Sequence, residues 1–448
     1  MKRATVFVLL LGGGALVALR PARAKEELRA YSAGRPPTST SEGAIRPGEL
    51  IVQFKDGLDE RSAAGALRAV GGREARRSAF ARHWRVTLDG ELSVPVAVQR
   101  LSSMPEVDYA EPNGILRKHQ GTTLNPNDRF FRAQWNLKLV GAPRAWAIQP
   151  GKPEVAVAVL DTGIAFEDFG PYKKAPDWGS LRFLPGFDAV HGDGHANDDE
   201  FHGTHVSSTI AEATNNGEGV AGFAFGCSLM PVKVLDEKGE GSDFDVAEGL
   251  DYVASYRENG ANPVKVVNMS LGGDGTSETI KRAIDRVVQA GILVVASAGN
   301  DNKGTVDFPA NLDNVIAVGA IDGRKQRAPY SNYGSALDLV APGGDGDRDD
   351  DGDGNIDLVF QQMPDPDFLD LGRHDQFCYC GHEGTSMASP HVAALAAMLF
   401  SQGIGDAHSV RAALEQTAED LGAPGRDDQF GHGLIQPAKA LSGLGLNK

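Results

Sequence analysis

The stretch Val155-Ala156-Val157-Ala158-Val159-Leu160-Asp161-Thr162-Gly163 is an unbroken apolar run that stops at a carboxylate. A Val-rich run of this length reads as a strand buried on both faces, as in parallel sheets covered by helices. Runs of the same kind recur at Val232 to Leu235, Val264 to Met269, Ile292 to Ala296, Val315 to Ala320 and Leu337 to Val340. Helical patterns fall between or after them, at about 203–213, 243–257, 277–290, 387–401 and 407–419. The alternation predicts an α/β domain with a mainly parallel, doubly wound sheet. In such a sheet the site lies beyond the carboxyl ends of the strands, where Asp161 falls. Taken alone, Asp161 also suits a turn-capping role.

Ahead of this domain the chain reads differently. Lys2 and Arg3, the apolar stretch Ala4 to Leu19 and Ala22-Arg23-Ala24 fit a signal peptide over 1–24. Residues 25–46 are rich in Ser, Thr, Gly, Pro and Arg and suit a disordered linker. A small α+β module follows over 47–113. Its strands are expected at Leu50 to Phe54, Trp84 to Leu88 and Val107 to Ala110, with helices at Ser62 to Val70 and Val94 to Leu101. Residues 114–128 form an exposed connector, and 129–448 the α/β domain.

Charge separates the two parts. Residues 1–118 carry 19 Lys+Arg against 13 Asp+Glu, whereas the remainder carries 25 against 47. An acidic main domain argues against nucleic acid or an anionic membrane as partner. Once a signal peptide is removed, no membrane segment is expected, and a soluble monomer is. The three cysteines, Cys227, Cys378 and Cys380, permit one bridge and one leftover thiol, with metal binding by Cys-x-Cys a weaker alternative.

Three further motifs carry chemistry. His202-Gly203-Thr204-His205-Val206 opens a helix, and a neutral imidazole is the usual base near neutral pH. The zinc pattern His-Glu-x-x-His is absent, so no catalytic metal is expected, nor any organic cofactor. Gly384-Thr385-Ser386-Met387-Ala388-Ser389-Pro390-His391 leads into an apolar helix. A Ser there can be a plain cap, or a nucleophile if a base and an orienting carboxylate reach it. Residues 344–377 are an acidic insertion. Within it Asp349, Asp351, Asp353, Asn355 and Asp357 alternate around Gly354, as oxygen ligands do in a calcium loop. Phe360 stands where such a loop ends in a bidentate Glu, and a disordered acidic loop is the alternative.

With the order Asp161, His202, Ser386, these motifs resemble the subtilisin-like serine proteases, the subtilase family. The resemblance implies a secreted serine endopeptidase of the subtilisin fold, made with a ferredoxin-like inhibitory propeptide over 47–113. Processing would fall in the connector 114–128, and protein or peptide substrates and the propeptide itself would be the partners. It makes Asp161, His202 and Ser386 the triad. Ser297-Ala298-Gly299-Asn300 resembles the oxyanion segment, with Asn300 as donor. Ser270, Leu271, Gly272 and Gly299, with Gly239 and Gly241 opposite, would bind substrate main chain. Asp307, before Phe308-Pro309, would fall at the floor of the P1 pocket, unless it turns to solvent or pairs with Lys303. Phe201 stands where the family often has Gly. A family calcium site using Gln134 and Asn216 is a second possibility for structural calcium. An inactive peptide-binding relative and a calcium-dependent extracellular binding protein remain as other classes.

Overall fold

The computed structural model describes residues 45–78, 83–114 and 123–443, with the backbone of short strands at Leu9–Leu11 and Gly14–Ala18. The signal-peptide and linker readings, and positions 115–122 of the connector, fall largely outside the described residues. The chain divides into two compact units, Ala24–Gln120 and a second made of Gly121–Lys448 with Met1–Arg23.

In the front unit four antiparallel strands are ordered Gly72–Arg77, His83–Leu88, Ile45–Phe54, Val107–Gly114. Helices Glu60–Ala69 and Val94–Ser102 complete a ferredoxin-like arrangement. Asp59 starts the first helix by accepting from Ser62 N at 2.9 Å. Leu50, Val52, Leu67, Val86 and Leu101 form its core. Strand Gly72–Arg77 was not expected. Its sequence, Gly-Arg-Glu-Ala-Arg-Arg, has no apolar alternation, because an edge strand keeps its charges in water.

In the second unit seven parallel strands are ordered Leu339–Pro342, Val315–Ile321, Leu293–Ser297, Val264–Met269, Ala156–Asp161, Ser228–Lys233, Phe187–Asp188. After Ala156–Asp161 the chain first builds one flank and then the other, so this strand borders the switch point. Its next-door residues point to opposite faces. A Cβ on Gly249, in helix Asp243–Ser255, would lie 3.7 Å from Leu160 Cδ2. One on Gly203, in helix His202–Ala211, would lie 3.1 Å from Asp161 Cβ. Helix Glu278–Gln289 packs with the former and helix Thr385–Gln402 with the latter, covering both faces. Among the described residues no single helix is long and apolar enough to cross a membrane.

Strand ends differ from expectation where polarity misled. The strand expected at Val232 to Leu235 is Ser228–Lys233 and takes in Pro231. The acidic insertion is also more than a loop. Val359–Pro364 is a buried strand paired antiparallel with Phe377–His382, so the inserted structure runs on to His382. Phe360 and Leu358 pack with Ala133 and Ile356 in a separate small cluster. Cys378 and Cys380 are bridged, and Cys227 is a buried free thiol. Gly431 to Ile435 forms no strand and makes only isolated bridges, at Gly431 and Leu434.

Candidate active site

Asp161 ends its strand fully buried. Its Oδ1 accepts from Thr162 N at 2.8 Å and from His202 Nδ1 at 2.7 Å. Gly203 permits this approach, because a Cβ there would collide with the Gly163 carbonyl. Burial alone would lower the His202 pKa, but the charge and hydrogen bond of Asp161, with Glu200 and Asp198 behind, raise it to about 9.

The His202 turn is caged by Asp198, which the sequence reading did not single out. Asp198 Oδ1 accepts from Thr162 Oγ1 at 2.9 Å and from Phe201 N at 2.9 Å. Its Oδ2 accepts from Thr204 N at 2.9 Å and Thr204 Oγ1 at 2.6 Å. Glu200 was also missed. Its Oε2 accepts from His202 N at 2.9 Å, and burial raises its pKa to about 7, partly offset by the His202 charge. The run Asp198-Asp199-Glu200 just ahead of a histidine was the available signal. Phe201 holds φ at 127°, a strained conformation for a bulky residue. Its ring stacks on His382 of the insertion at 5.1 Å.

Ser386 is the second residue of helix Thr385–Gln402. Pro390 lacks an N–H, so the Ser386 carbonyl loses its intrahelical donor. Ser270 Oγ replaces it at 2.9 Å. Ser386 Oγ itself donates to the Ser270 carbonyl at 3.2 Å, and no hydrogen bond to His202 is described. Such contacts are often loose without substrate. Ser386 and His202 line one cleft with Asn300. Asn300 Oδ1 is fixed by Thr385 N at 2.8 Å and Thr385 Oγ1 at 2.9 Å, which leaves its Nδ2 pointing away. A Cβ built on Gly384 would lie 3.6 Å from both Asn300 Nδ2 and Ser386 N, so these two donors flank one spot.

Gly239, Gly241, Ser270, Leu271 and Gly272 line a second cavity that also reaches His202. Gly239 and Gly241 lie on a loop there. Asp307 turns inward. A Cβ on Gly299 would collide with its carboxylate, and Asn332 Nδ2 donates to its Oδ1 at 3.1 Å. Lys303 instead pairs with Asp274 at 3.0 Å and Asp301 at 2.9 Å. Burial raises the Asp307 pKa, with Lys303 opposing.

Of the five residues expected as calcium ligands, Asp349, Asp351 and Asp353 bring carboxylate oxygens within 4.8 Å of one another. Asn355 Nδ2 donates to Asp353 Oδ1 at 2.9 Å, whereas Asp357 is drawn inward to accept from Asp350 N at 2.7 Å. Gln134 and Asn216 do not meet. Gln134 is bonded to both backbone groups of Ala221, each at 2.8 Å. Asn216 donates to Asp177 Oδ1 at 2.6 Å, a buried carboxylate that the sequence reading had not linked to it. His205 and His391 are buried with pKa values lowered to about 3 and about 4, by burial first, as structural groups should be.

The Subtilase family model matches residues 152–433, and the fervidolysin N-terminal prodomain matches 33–113. A thermophilic serine proteinase of Bacillus sp. (strain AK1) is 34% identical over 406 residues, covering 90% of each chain. Thermitase of Thermoactinomyces vulgaris is 33% identical over 317 residues, 70% of this chain and 99% of that one. A solved protease structure from Pseudoalteromonas arctica PAMC 21717 superposes with a TM-score of 0.58 at 32% identity, over 71% of this chain and 98% of that one. This chain belongs to the Subtilase family and is a serine endopeptidase preceded by a prodomain.

Proposed function

We propose that the chain is exported and hydrolyses protein substrates through an acyl-enzyme on Ser386. The observation that carries this is the 2.7 Å His202–Asp161 bond in the cleft that also holds Ser386 and Asn300. Ser386 Oγ attacks the scissile carbonyl carbon as its proton passes to His202 Nε2. Asp161 holds the imidazolium, and Asn300 Nδ2 with Ser386 N receives the oxyanion. The C–N bond then breaks, the amine taking the proton from His202, and water repeats the sequence on the ester. Export is supported by relatives named as extracellular proteases in Bacillus subtilis and Dichelobacter nodosus. The prodomain would block the cleft until cut between Gly114 and Asp128. The test is Ser386→Ala, which should lose labelling by a fluorophosphonate, leave the precursor uncut and cost about 10⁶ in kcat. Normal processing by that variant would overturn the assignment.

Two finer readings belong to this proposal. Asp307, inward and unpaired with lysine, would favour Lys or Arg at P1. Attraction at about 4 Å is roughly 4 kcal/mol at intermediate dielectric, which leaves about 1–2 kcal/mol after desolvation. Calcium would sit at Asp349, Asp351 and Asp353, whose oxygen donors suit a hard cation, with Asn355 and Asp357 completing the loop. Its role would be structural, as it would be at a second site near Asp177 and Asn216.

A further inference from the structure

The cleft that holds Ser386, His202 and Asn300 is about 1190 Å³ and meets the Gly239–Ser270 cavity at Glu200 and His202. The side of it that the insertion lines is used by neither the motifs nor the proposed P1 pocket. A peptide whose acyl part lies along Ser270 to Gly272 must send its leaving part through this space. The far wall comes from the insertion, through Pro366, Leu369, Asp370 and His374.

That wall is held in place before substrate arrives. Lys173 N donates to the His374 carbonyl at 3.0 Å, and the Tyr172 and His374 rings lie 4.6 Å apart. Asp365 N donates to the Gln376 carbonyl at 2.9 Å, closing the segment at its base. On the other side His382 is stacked on Phe201, next to His202. The strained Phe201 backbone and the insertion are therefore two parts of one contact.

The charge of this space is one-sided. Asp199, Glu200, Glu237, Asp301, Asp370 and Glu383 line it, and Lys238 is its one lysine. Several of these acids are already neutralised. Asp199 pairs with buried Lys233 at 2.6 Å, Asp301 with Lys303 at 2.9 Å and Glu237 with Lys238 at 3.7 Å. Asp370 is exposed at the end of the short helix Pro366–Leu369 and has no ion pair among the described residues. Apolar Leu369 and Pro366 stand beside it to receive an aliphatic stem.

We infer that the segment from Pro366 to His374 is the leaving-group wall of the cleft, selecting a Lys or Arg side chain as the second residue after the scissile bond, with Asp370 supplying the decisive charge. The inference rests on the endopeptidase reading and adds a subsite to it. The test uses the self-processed enzyme and internally quenched peptides with one common acyl part and Arg, Ala or Glu as second leaving residue. In wild type the Arg/Glu ratio of kcat/KM should be about tenfold at low salt and shrink at high salt. In Asp370→Lys it should fall to about unity or invert. A flat ratio in wild type, or an unchanged one in Asp370→Lys, overturns the inference. A peptide anilide with no leaving-side residues separates the two readings. If wild type cleaves it and the ratio is flat, only the wall fails. If wild type cleaves neither substrate type, both readings fail.

Discussion

The two sides of the cleft are made from different kinds of chain. The cavity proposed for the acyl side is lined at a strand end, by Ser270 to Gly272 after Val264–Met269, and Asn300, after Leu293–Ser297, stands in the adjoining cleft. Their backbone is set by the parallel sheet, and in the proposed function it would pair with an extended peptide whatever its side chains. The leaving side depends on an inserted hairpin pinned by ring contacts to Tyr172 and Phe201. A sheet can fix the chemistry once, while an insertion tunes what passes beside it.

If the scaffold side carries the chemistry, its donors should cost most. Asn300→Ala should lower kcat by about 10²–10³ with little change in KM. An equal loss in binding alone would mean that Asn300 holds substrate and not the oxyanion. Asp198→Asn should come next, at roughly 10–10² in kcat, because it loosens the turn that aims His202. Full activity there would show that Thr162 and Thr204 hold the turn unaided.

The charged neighbours of His202 give a pH test. Its raised pKa means that the neutral base accumulates only as pH climbs above the ordinary value of 6.5 and through about 9. kcat/KM should therefore rise with pH over that window. Glu200 raises the imidazole pKa only while ionised, above about 7 itself. Glu200→Gln should shift the limb down by about half to one pH unit. An unmoved limb would leave Asp161 and Asp198 as the electrostatic partners that matter.

Pocket and loop effects should be smaller. Asp307→Gly should reduce the ratio of Arg to Phe anilides at P1 by about tenfold. If the ratio stays put, the acyl side is as unselective as its main-chain pairing suggests. Chelation should lower the thermal midpoint by about 2–5 °C, because Asp349, Asp351 and Asp353 are left facing one another. A midpoint indifferent to EDTA would remove calcium from both proposed sites.

The same contrast explains what was legible in the sequence. Asp161, His202 and Ser386 sit at element ends, so an apolar strand or helix beside each one advertised it. Asn300 followed only from the resemblance of Ser297 to Asn300 to the family's oxyanion segment. Asp198 acts through five hydrogen bonds to nearby backbone and hydroxyl groups, and no periodicity marks such a residue. Strand Val359–Pro364 was hidden because Gln361 and Gln362, both fully buried, look like surface residues beside so many aspartates. Asp177 was missed because its partner Asn216 lies 39 residues away with no shared motif.

The bridge between Cys378 and Cys380 spans a sequence separation of only two, within one strand. A crosslink stabilises mainly by shortening the excursions of the unfolded chain, and one this local shortens almost none. The fold's cohesion therefore comes from its packed interior, where the remaining thiol, Cys227, is sealed. A reducing agent should leave the melting temperature nearly unchanged.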